Sequence, residues 1–276
     1  MALGGVAVSE LGRDFQRVLN EINDSVDFEP DYYNEAYLNR RISARMRRSD
    51  TETHAAYLEF LKSNPDEREA LMDSLTINVT NFFRNPKMWE ALIPVLRELS
   101  ANNRRVKIWS APCADGREPY SLAMLALDDP EINARRIEIL GTDISDEALE
   151  HAREGTYETT RTTDIEEELS LLDNPTKYVT QDENKFTVTD SVKSMVSFER
   201  HDLIADGKKS GYHLAFCRNL LIYIDTEFKL PVFEAVADSL IDGGYLVVGM
   251  TETVPPERRS SFDAVNKRCR VYQRVN

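Results

Sequence analysis

The sequence predicts a doubly wound, mostly parallel α/β domain, preceded by an all-helical domain and interrupted by a small antiparallel β insertion. Three observations predict it. Up to about residue 80, apolar residues recur at helical spacing with no strand signal. From residue 106, short β-prone runs alternate with helical stretches. The polar stretch from Gly155 to Phe198 breaks that alternation. The chain has 276 residues, 41% hydrophobic and 30% charged. That is globular composition with enough apolar material for a full core, in one large domain or two ordinary ones.

In the helical part, Glu10 to Ile22 carries Leu11, Phe15, Val18, Leu19 and Ile22 on one stripe. Asn34 to Arg48 repeats the pattern with Leu38, Ile42 and Met46. Thr51 reads as the N-cap of a helix that ends near Ser63-Asn64-Pro65, because proline excludes a continuing helix there. A further helix is expected from Asp66 to Leu75. The expected division is a helical domain over 1–80 and an α/β domain over 81–276.

The α/β part opens with a helix over Lys87 to Leu99. Val106 to Ser110 is a short β-prone run followed by turn residues, then a helix from Glu118 to Leu127. Ile137 to Gly141 reads as a second strand, with a helix from Ser145 to Arg153. Later come a strand at His213 to Cys217, a helix at Glu227 to Leu240, and strands at Tyr245 to Met250 and Arg270 to Arg274. Asp242-Gly243-Gly244 reads as a helix stop and turn. The insertion, about 155–198, holds Lys177 to Thr180 and Lys185 to Thr189 as pieces of a small antiparallel sheet.

Several function classes lose support. No apolar run approaches the roughly 20 residues of a membrane span, and Met1 to Glu10 lacks the flank and apolar core of a signal peptide. Membrane insertion is therefore not expected. Cys113, Cys217 and Cys269 are odd in number with no CxxC pair, which points to neither a zinc site nor a disulfide framework. A reducing cytoplasm is the simplest compartment. The histidines at 54, 151, 201 and 213 form no ligand cluster, so no metal is expected. Cys113 and Cys217 read as small packing residues, since no partner is at hand to activate a thiol. The net charge of −14 disfavours nucleic acid as a partner. Arginine outnumbers lysine 24 to 10; with the excess carboxylate this fits either adaptation to high salt or an ordinary acidic protein.

Ligands of open parallel α/β sheets bind beyond the carboxyl ends of the strands. Two segments fall there. Ser110 to Ser121 is the loop after the first strand together with the start of its helix, and Gly116 in it permits close backbone approach. Gly141-Thr142-Asp143 puts an acid at the end of the second strand, where it can accept both hydroxyls of a ribose. A GxGxxG fingerprint is absent, and Asp115 and Glu118 place negative charge where a pyrophosphate would sit. A cofactor with a cationic amine and sulfonium and no phosphate fits better, which is S-adenosylmethionine; a plain turn with a surface acid is the bland alternative.

Four segments then resemble, in order, the CheR family of chemotaxis receptor glutamate O-methyltransferases. They are Thr76-Ile77-Asn78-Val79-Thr80-Asn81-Phe82-Phe83-Arg84, the Ser110 to Ser121 loop, Gly141-Thr142-Asp143-Ile144, and Phe216-Cys217-Arg218-Asn219-Leu220-Leu221-Ile222-Tyr223. Tyr37 to Ile42 is similar to the family's N-terminal helical domain. The resemblance covers nearly the whole chain and implies a Rossmann-like methyltransferase fold. It implies that Asn78, Thr80 and Arg84 line the methyl-donor site, that Glu118 faces the methionine part of the cofactor, and that Asp143 binds the ribose. It further implies that Asp202 and Leu203 stand near the adenine, and that Arg218, Asn219 and Tyr223 form the motif at the far strand with Tyr223 beside the reacting methyl. Pro112, Asp115, Arg117 (where an acid is common) and Asp202 (for asparagine) depart from the family pattern. The insertion has no glycine after Gly155, which counts against tethering to a receptor tail peptide.

The implied reaction is methyl transfer to a glutamate carboxylate, with S-adenosylhomocysteine as the other product. A carboxylate is already anionic at neutral pH, so no strong general base is required. This agrees with the lack of a Cys/His or Ser/His constellation. Arg84 and Tyr223 are the expected catalytic residues, orienting the carboxylate. Arg40, Arg41, Arg45, Arg47 and Arg48 read as a basic face for docking on an acidic chemoreceptor surface, or as a solvated helix face. A monomer is the default. A methyltransferase of other substrate, or a non-catalytic cofactor-binding adaptor, are the alternatives.

Overall fold

The structure is a computed structural model that describes residues 10–25, 28–75, 80–161 and 163–275. It divides into two compact units, one taking the chain up to residue 77 together with Tyr223–Phe228, the other Asn78–Ile222 with Lys229–Asn276.

In the first unit the expected stripes become helix faces. Helix α1 (Glu10–Ser25) buries Phe15, Val18, Leu19 and Ile22, and α2 (Glu35–Arg48) buries Tyr37, Leu38, Ile42 and Met46. Asn34 caps α2, its side-chain oxygen accepting from the Tyr37 N–H at 2.8 Å. Helix α3 (His54–Ser63) buries Tyr57, Leu58 and Leu61 and begins two residues later than expected: its N-cap is Thr53, not Thr51. The Thr51 hydroxyl is spent elsewhere, on the Met46 carbonyl at the end of α2, 3.3 Å away. Helix α4 (Pro65–Leu75) then starts on the proline itself, as first-turn prolines do.

Arg45 is not part of the exposed basic face. Its guanidinium turns inward to the Glu67 carboxylate of α4, with Nε 3.0 Å from Oε1, and the Tyr57 hydroxyl donates to the same oxygen at 2.8 Å. Glu67 is 6% exposed. The reason is geometric: position 45 lies three residues from Ile42, on the edge of the apolar stripe rather than opposite it. Arg40, Arg47 and Arg48 are exposed and Arg41 is half-buried.

The second unit starts with α5 (Pro86–Asn102) and β1 (Val106–Ser110), followed by α6 (Arg117–Asp128), β2 (Ile137–Asp143) and α7 (Asp146–Glu154). A three-stranded antiparallel sheet follows, with β3 (Thr156–Glu158) and β4 (Val179–Asp182) on either side of β5 (Lys185–Val188). The short helices α8 (Ile165–Glu168) and α9 (Asp190–Lys193) belong to this stretch. Strands β6 (Val196–Arg200) and β7 (Tyr212–Cys217), helix α10 (Lys229–Ala237) and strands β8 (Leu240–Val248), β9 (Phe262–Asn266) and β10 (Val271–Arg274) complete it.

The main sheet has the order β6-β2-β1-β7-β8-β10-β9. The pairs β1 with β2, β1 with β7, β2 with β6 and β7 with β8 are parallel, while β10 runs antiparallel to β8 and to β9. The chain therefore winds outward from β1 in one direction, then returns to β7 on its other side. The carboxyl ends of β1 and β7 are the switch point where such sheets hold ligands. Trp89 and Trp109, both fully buried, cover this sheet, with Trp89 stacked on Phe216 at 5.9 Å.

Three features differ from the sequence expectation. Val196–Arg200 lies in the main sheet, paired with β2 through Ile139↔Val196, so the insertion ends before it; its alternating Val196 and Phe198 pack on the core as an edge strand would. Asp242-Gly243-Gly244 is inside β8, as an irregularity between the Tyr212↔Leu240 and Leu214↔Tyr245 pairs. Gly243 supplies the φ of +75° that this requires, and α10 stops earlier, at Ala237. Strand β9 is new; its isolated apolar residues follow a proline pair and show no strand period on their own.

Removing the partner of a buried ion pair costs far more than losing a surface bridge. Glu67→Ala should therefore destabilise the protein by about 3 kcal/mol, read as a lower urea midpoint. A midpoint unchanged from wild type would mean that Arg45 finds solvent and that the pair is not structural.

Candidate active site

The site is assembled by charged side chains at the carboxyl ends of β1, β2 and β7. Strand β1 ends on Ser110, and β7 hands over to Arg218. Glu118 stands in the first turn of α6 and is 8% exposed. It accepts from Ser110 Oγ at 2.8 Å and from Arg218 Nη1 at 2.7 Å. The other arm of Arg218, Nη2, donates to the Arg84 carbonyl at 3.1 Å and to Asn85 Oδ1 at 2.9 Å. Its guanidinium carbon lies 6.0 Å from the Trp89 ring centroid. Glu118, Arg218 and the main chain of Arg84 are therefore one cluster, in which Arg218 lies 100 residues from Glu118 and 134 from Arg84.

Asp143 closes β2 and is 7% exposed. Its Oδ2 accepts from the Ala114 N–H at 2.8 Å and its Oδ1 from the Ser145 N–H at 3.1 Å, which clamps the first loop onto the second. Burial holds its carboxyl above the ordinary carboxylate range, against the pull of those N–H groups. The loop itself turns at Gly116, whose φ is +87° and whose added Cβ would lie 2.8 Å from Ala152 Cβ. Here the glycine serves packing against α7 as well as the turn.

Two departures from the family pattern compensate each other. Arg117 Nε lies 3.2 Å from Asp115 Oδ2, while its Nη1 donates to the Thr80 carbonyl at 2.9 Å and its guanidinium sits over the Tyr157 ring at 5.1 Å. Asp115 is also raised in pKa, by burial first and in spite of Arg117. Glu168 of α8 accepts from the Phe82 N–H at 2.8 Å, and the Tyr157 hydroxyl donates to the Asp115 carbonyl at 2.6 Å. The small sheet and α8 thus brace the first loop and the segment 80–84.

The remaining expected residues divide. The loop after β6 joins the site, because the His201 N–H donates to the Asp143 carbonyl at 3.0 Å. Asp202 Oδ1 caps its own turn through the Ile204 N–H at 2.7 Å, so the aspartate that replaces asparagine is engaged locally. Leu203 lines a cavity of about 250 Å³ with Trp109, His201 and Pro231. Arg84 lines a separate groove of about 650 Å³ with Asn81, Asn85, Glu90 and α8 residues. Asn78 lies outside the described residues. Tyr223 belongs to the helical unit, where its ring packs on Tyr37 at 4.8 Å between centroids.

Sequence reasoning missed Glu252. It is 5% exposed and receives three backbone N–H groups: Asn219 at 2.8 Å and Gly249 at 2.7 Å on Oε2, and Leu221 at 2.8 Å on Oε1. This holds Asn219 at φ +60°, a left-handed conformation that asparagine tolerates better than most residues. Gly249 must lack a side chain, since a Cβ would lie 2.3 Å from Glu252 Oε2 and 2.9 Å from the Asn219 nitrogen. An acid and a glycine just past a strand end were the only signals available.

The crevice suits a phosphate-free cationic cofactor. Asp115, Glu118 and Asp143 are three buried carboxylates around the strand ends, and the two arginines nearest them are already paired. Cys113 offers no nucleophile, because burial and the neighbouring carboxylates push its thiol well up. The imidazoles of His54, His201 and His213 are all shifted down, chiefly by burial. Among the described residues no group of acids, histidines and cysteines could hold a metal ion, and no helix is long and apolar enough to cross a membrane.

Comparison with known proteins agrees with this geometry. The SAM-binding domain of CheR methyltransferases matches residues 78–271, and the all-alpha domain of the same family matches residues 13–76. A chemotaxis protein methyltransferase of Listeria monocytogenes is 30% identical over 249 residues, covering 90% of this chain and 92% of that protein. One from Borreliella burgdorferi is 32% identical over 229 residues, covering 78% of each. One from Vibrio parahaemolyticus is 35% identical over 196 residues, covering 69% of this chain and 70% of that protein.

Two measurements test this geometry. Gly249→Ala should cost roughly 1–3 kcal/mol in urea unfolding, as overpacking does; a neutral substitution would show that the Glu252 clamp yields easily. Asp143 is the acid expected to accept a ribose hydroxyl; protonation would remove that acceptor, so protons should compete with the cofactor. Since its carboxyl titrates above the ordinary range, affinity for S-adenosylhomocysteine should fall on acidification earlier than an exposed aspartate would dictate. Calorimetry over a descending pH series should show the fall in wild type beginning above the range of an ordinary aspartate, with a flatter profile in Asp143→Asn. A flat wild-type profile would remove Asp143 from cofactor binding.

Proposed function

The chain belongs to the CheR methyltransferase family, and we propose that the groups it methylates are glutamate side chains of a chemoreceptor, worked on in the cytoplasm. It is an S-adenosylmethionine-dependent methyltransferase by family. The observation that carries the substrate reading is a crevice rich in buried carboxylates and arginine, yet without an activated thiol or imidazole. A glutamate substrate is already a nucleophile and needs only to be held in line.

When bound, the cofactor supplies an electrophilic methyl on a sulfonium. Thr80, Glu118, Asp143, Asp202, Leu203, Arg218 and Asn219, together with Asn78, are assigned to hold it, with Glu118 toward its amine and Asp143 toward its ribose. Arg218 cannot leave this role freely, since it also neutralises Glu118. Arg84 is assigned to the substrate carboxylate. Its carbonyl receives both Arg218 and the Trp89 indole N–H, the latter at 3.0 Å. The main chain at Arg84 is thereby fixed, and the residue lines the groove. Tyr223 shares the orienting role, so that Arg84 need not bind the carboxylate tightly enough to quench it.

Docking is assigned to the exposed part of the basic helix, Arg40, Arg47 and Arg48, with Arg41 beside them. Arg45 is spoken for by Glu67. An acidic helical receptor surface is the complement to such a face.

The decisive assay is transfer of radiolabelled methyl to a receptor fragment, where the label should be released by mild base as an ester. Base-stable label would move the reaction to another acceptor. Arg84→Ala should lower kcat on the order of 10²-fold, as loss of one preorganised donor does, and Tyr223→Phe should lower it less. Cofactor affinity should change by less than about tenfold in either, because an interaction made in the transition state is lost from kcat. Near-normal single-turnover rates in both variants would sink the assignment. Reversing Arg40, Arg47 and Arg48 to glutamate should raise the receptor KM at low salt, and the effect should fade as salt rises, with screening over about 10 Å at 0.1 M. An unchanged KM at low salt would leave these arginines as a solvated face.

A further inference from the structure

The segment that carries Tyr223 is stitched to the residues that begin the basic helix, within one compact unit. Tyr33 forms a β-bridge with Ile224, and the Asp225 N–H donates to the Tyr32 carbonyl at 2.9 Å. Tyr32 meets Phe228 edge to face at 4.8 Å. At the centre stands Asn34. Its backbone N–H and its side-chain Nδ2 both donate to the Tyr223 carbonyl, at 2.9 and 3.0 Å. Its Oδ1 at the same time caps α2 through the Tyr37 N–H at 2.8 Å.

Tyr37 extends the connection. Its ring lies 4.8 Å from that of Tyr223, and the guanidiniums of Arg41 and Arg40 stand 5.3 and 5.8 Å from the same ring. Its hydroxyl is tied to the Leu75 carbonyl at 2.7 Å, and the residue is 2% exposed. The Tyr37 ring is therefore held from the main chain of α4 while it supports Tyr223 and two of the docking arginines.

We propose that Asn34 is a positioning residue for Tyr223: one carboxamide fixes both the N-terminus of the receptor-docking helix and the main chain of the tyrosine. The inference rests on the reading of Tyr223 as an orienting residue and of α2 as the docking helix. It adds that docking and orientation share one rigid joint. A carboxamide suits this joint because it carries an acceptor for the helix N–H and a donor for the carbonyl at once. Serine and aspartate keep the acceptor, and both are good N-caps, but aspartate has no donor, and serine's single hydroxyl oxygen cannot occupy both places that the carboxamide fills with two separate atoms. Aspartate also sets an anion against the Tyr223 carbonyl.

The test is a set of single-turnover rates with a receptor fragment for Asn34→Ser, Asn34→Asp and Tyr223→Phe, alongside thermal midpoints, receptor KM and calorimetric affinity for S-adenosylhomocysteine. Asn34→Ser should lower kcat roughly three- to tenfold, the scale of one net hydrogen bond, and Asn34→Asp should lower it further. Both should keep wild-type midpoints, with receptor KM and cofactor affinity within about twofold. A residue that only caps the helix would give the reverse order, since aspartate is at least as good a cap as serine. Wild-type kcat in Asn34→Asp, with a clear loss in Tyr223→Phe, would overturn the joint and leave the site assignment standing. A change in KM alone would overturn it too, by confining Asn34 to docking. Wild-type kcat in Tyr223→Phe would overturn the assignment of Tyr223 itself, and the inference with it.

Discussion

The ion pair between Arg218 and Glu118 is the constraint on which the rest of the catalytic unit depends. Both partners are buried, and both come from the switch point of the sheet, one after β7 and one after β1. Burying two charges costs several kcal/mol of desolvation per ion, on the order that Coulomb attraction alone repays only in good geometry. Here the repayment comes from added hydrogen bonds: Ser110 on the glutamate, Asn85 and the Arg84 carbonyl on the arginine. Such a pair adds little to stability over an apolar substitute. What it adds is register, because it sets the end of β1, the first turn of α6, the end of β7 and the Arg84-Asn85 segment relative to one another.

Around this pair the chain repeats one device. A buried carboxylate takes backbone N–H groups from two or more loops and holds them as a fixed ring. Asp143 does so for the loops after β1 and β2, and Glu252 for those after β7 and β8. Burial raises the pKa of each, so the device leaves negative charge lightly compensated at the strand ends. A cofactor that brings a sulfonium, an amine and hydroxyl donors answers that deficit, whereas a pyrophosphate would worsen it.

The helical unit uses a buried carboxylate in the same way. Glu67 withdraws Arg45 from the surface, and the cluster of Arg40, Arg47 and Arg48 remains outside. Asn34 and Tyr37 bind that helix to the Tyr223 segment, which the chain returns to this unit after β7. The helix proposed to dock on a receptor and the ring proposed to orient its carboxylate thus rest on the same few hydrogen bonds.

Much of this was legible in the order of residues. The stripe of Leu38, Ile42 and Met46 sets the face that α2 buries, and Val106 to Ser110 and Ile137 onward are strands because short β-prone runs bounded by turns have few alternatives. The missing GxGxxG fingerprint, with Asp115 and Glu118 where a pyrophosphate would sit, already spoke against a dinucleotide site. Other features were decided only in three dimensions. Arg45 looks like its neighbours in sequence, and only the position of Glu67, 22 residues on, turns it inward. Arg117 and Asp115 read as two departures until their side chains meet. Val196–Arg200 looks like part of a polar insertion until β2 presents an open edge. Glu252 is marked by no more than an acid and a glycine just past a strand end. Apart from the Asp115–Arg117 pair, the deciding partner is distant along the chain. Local periodicity reports which face of an element is apolar, but a buried charge is satisfied only by whatever the fold brings beside it.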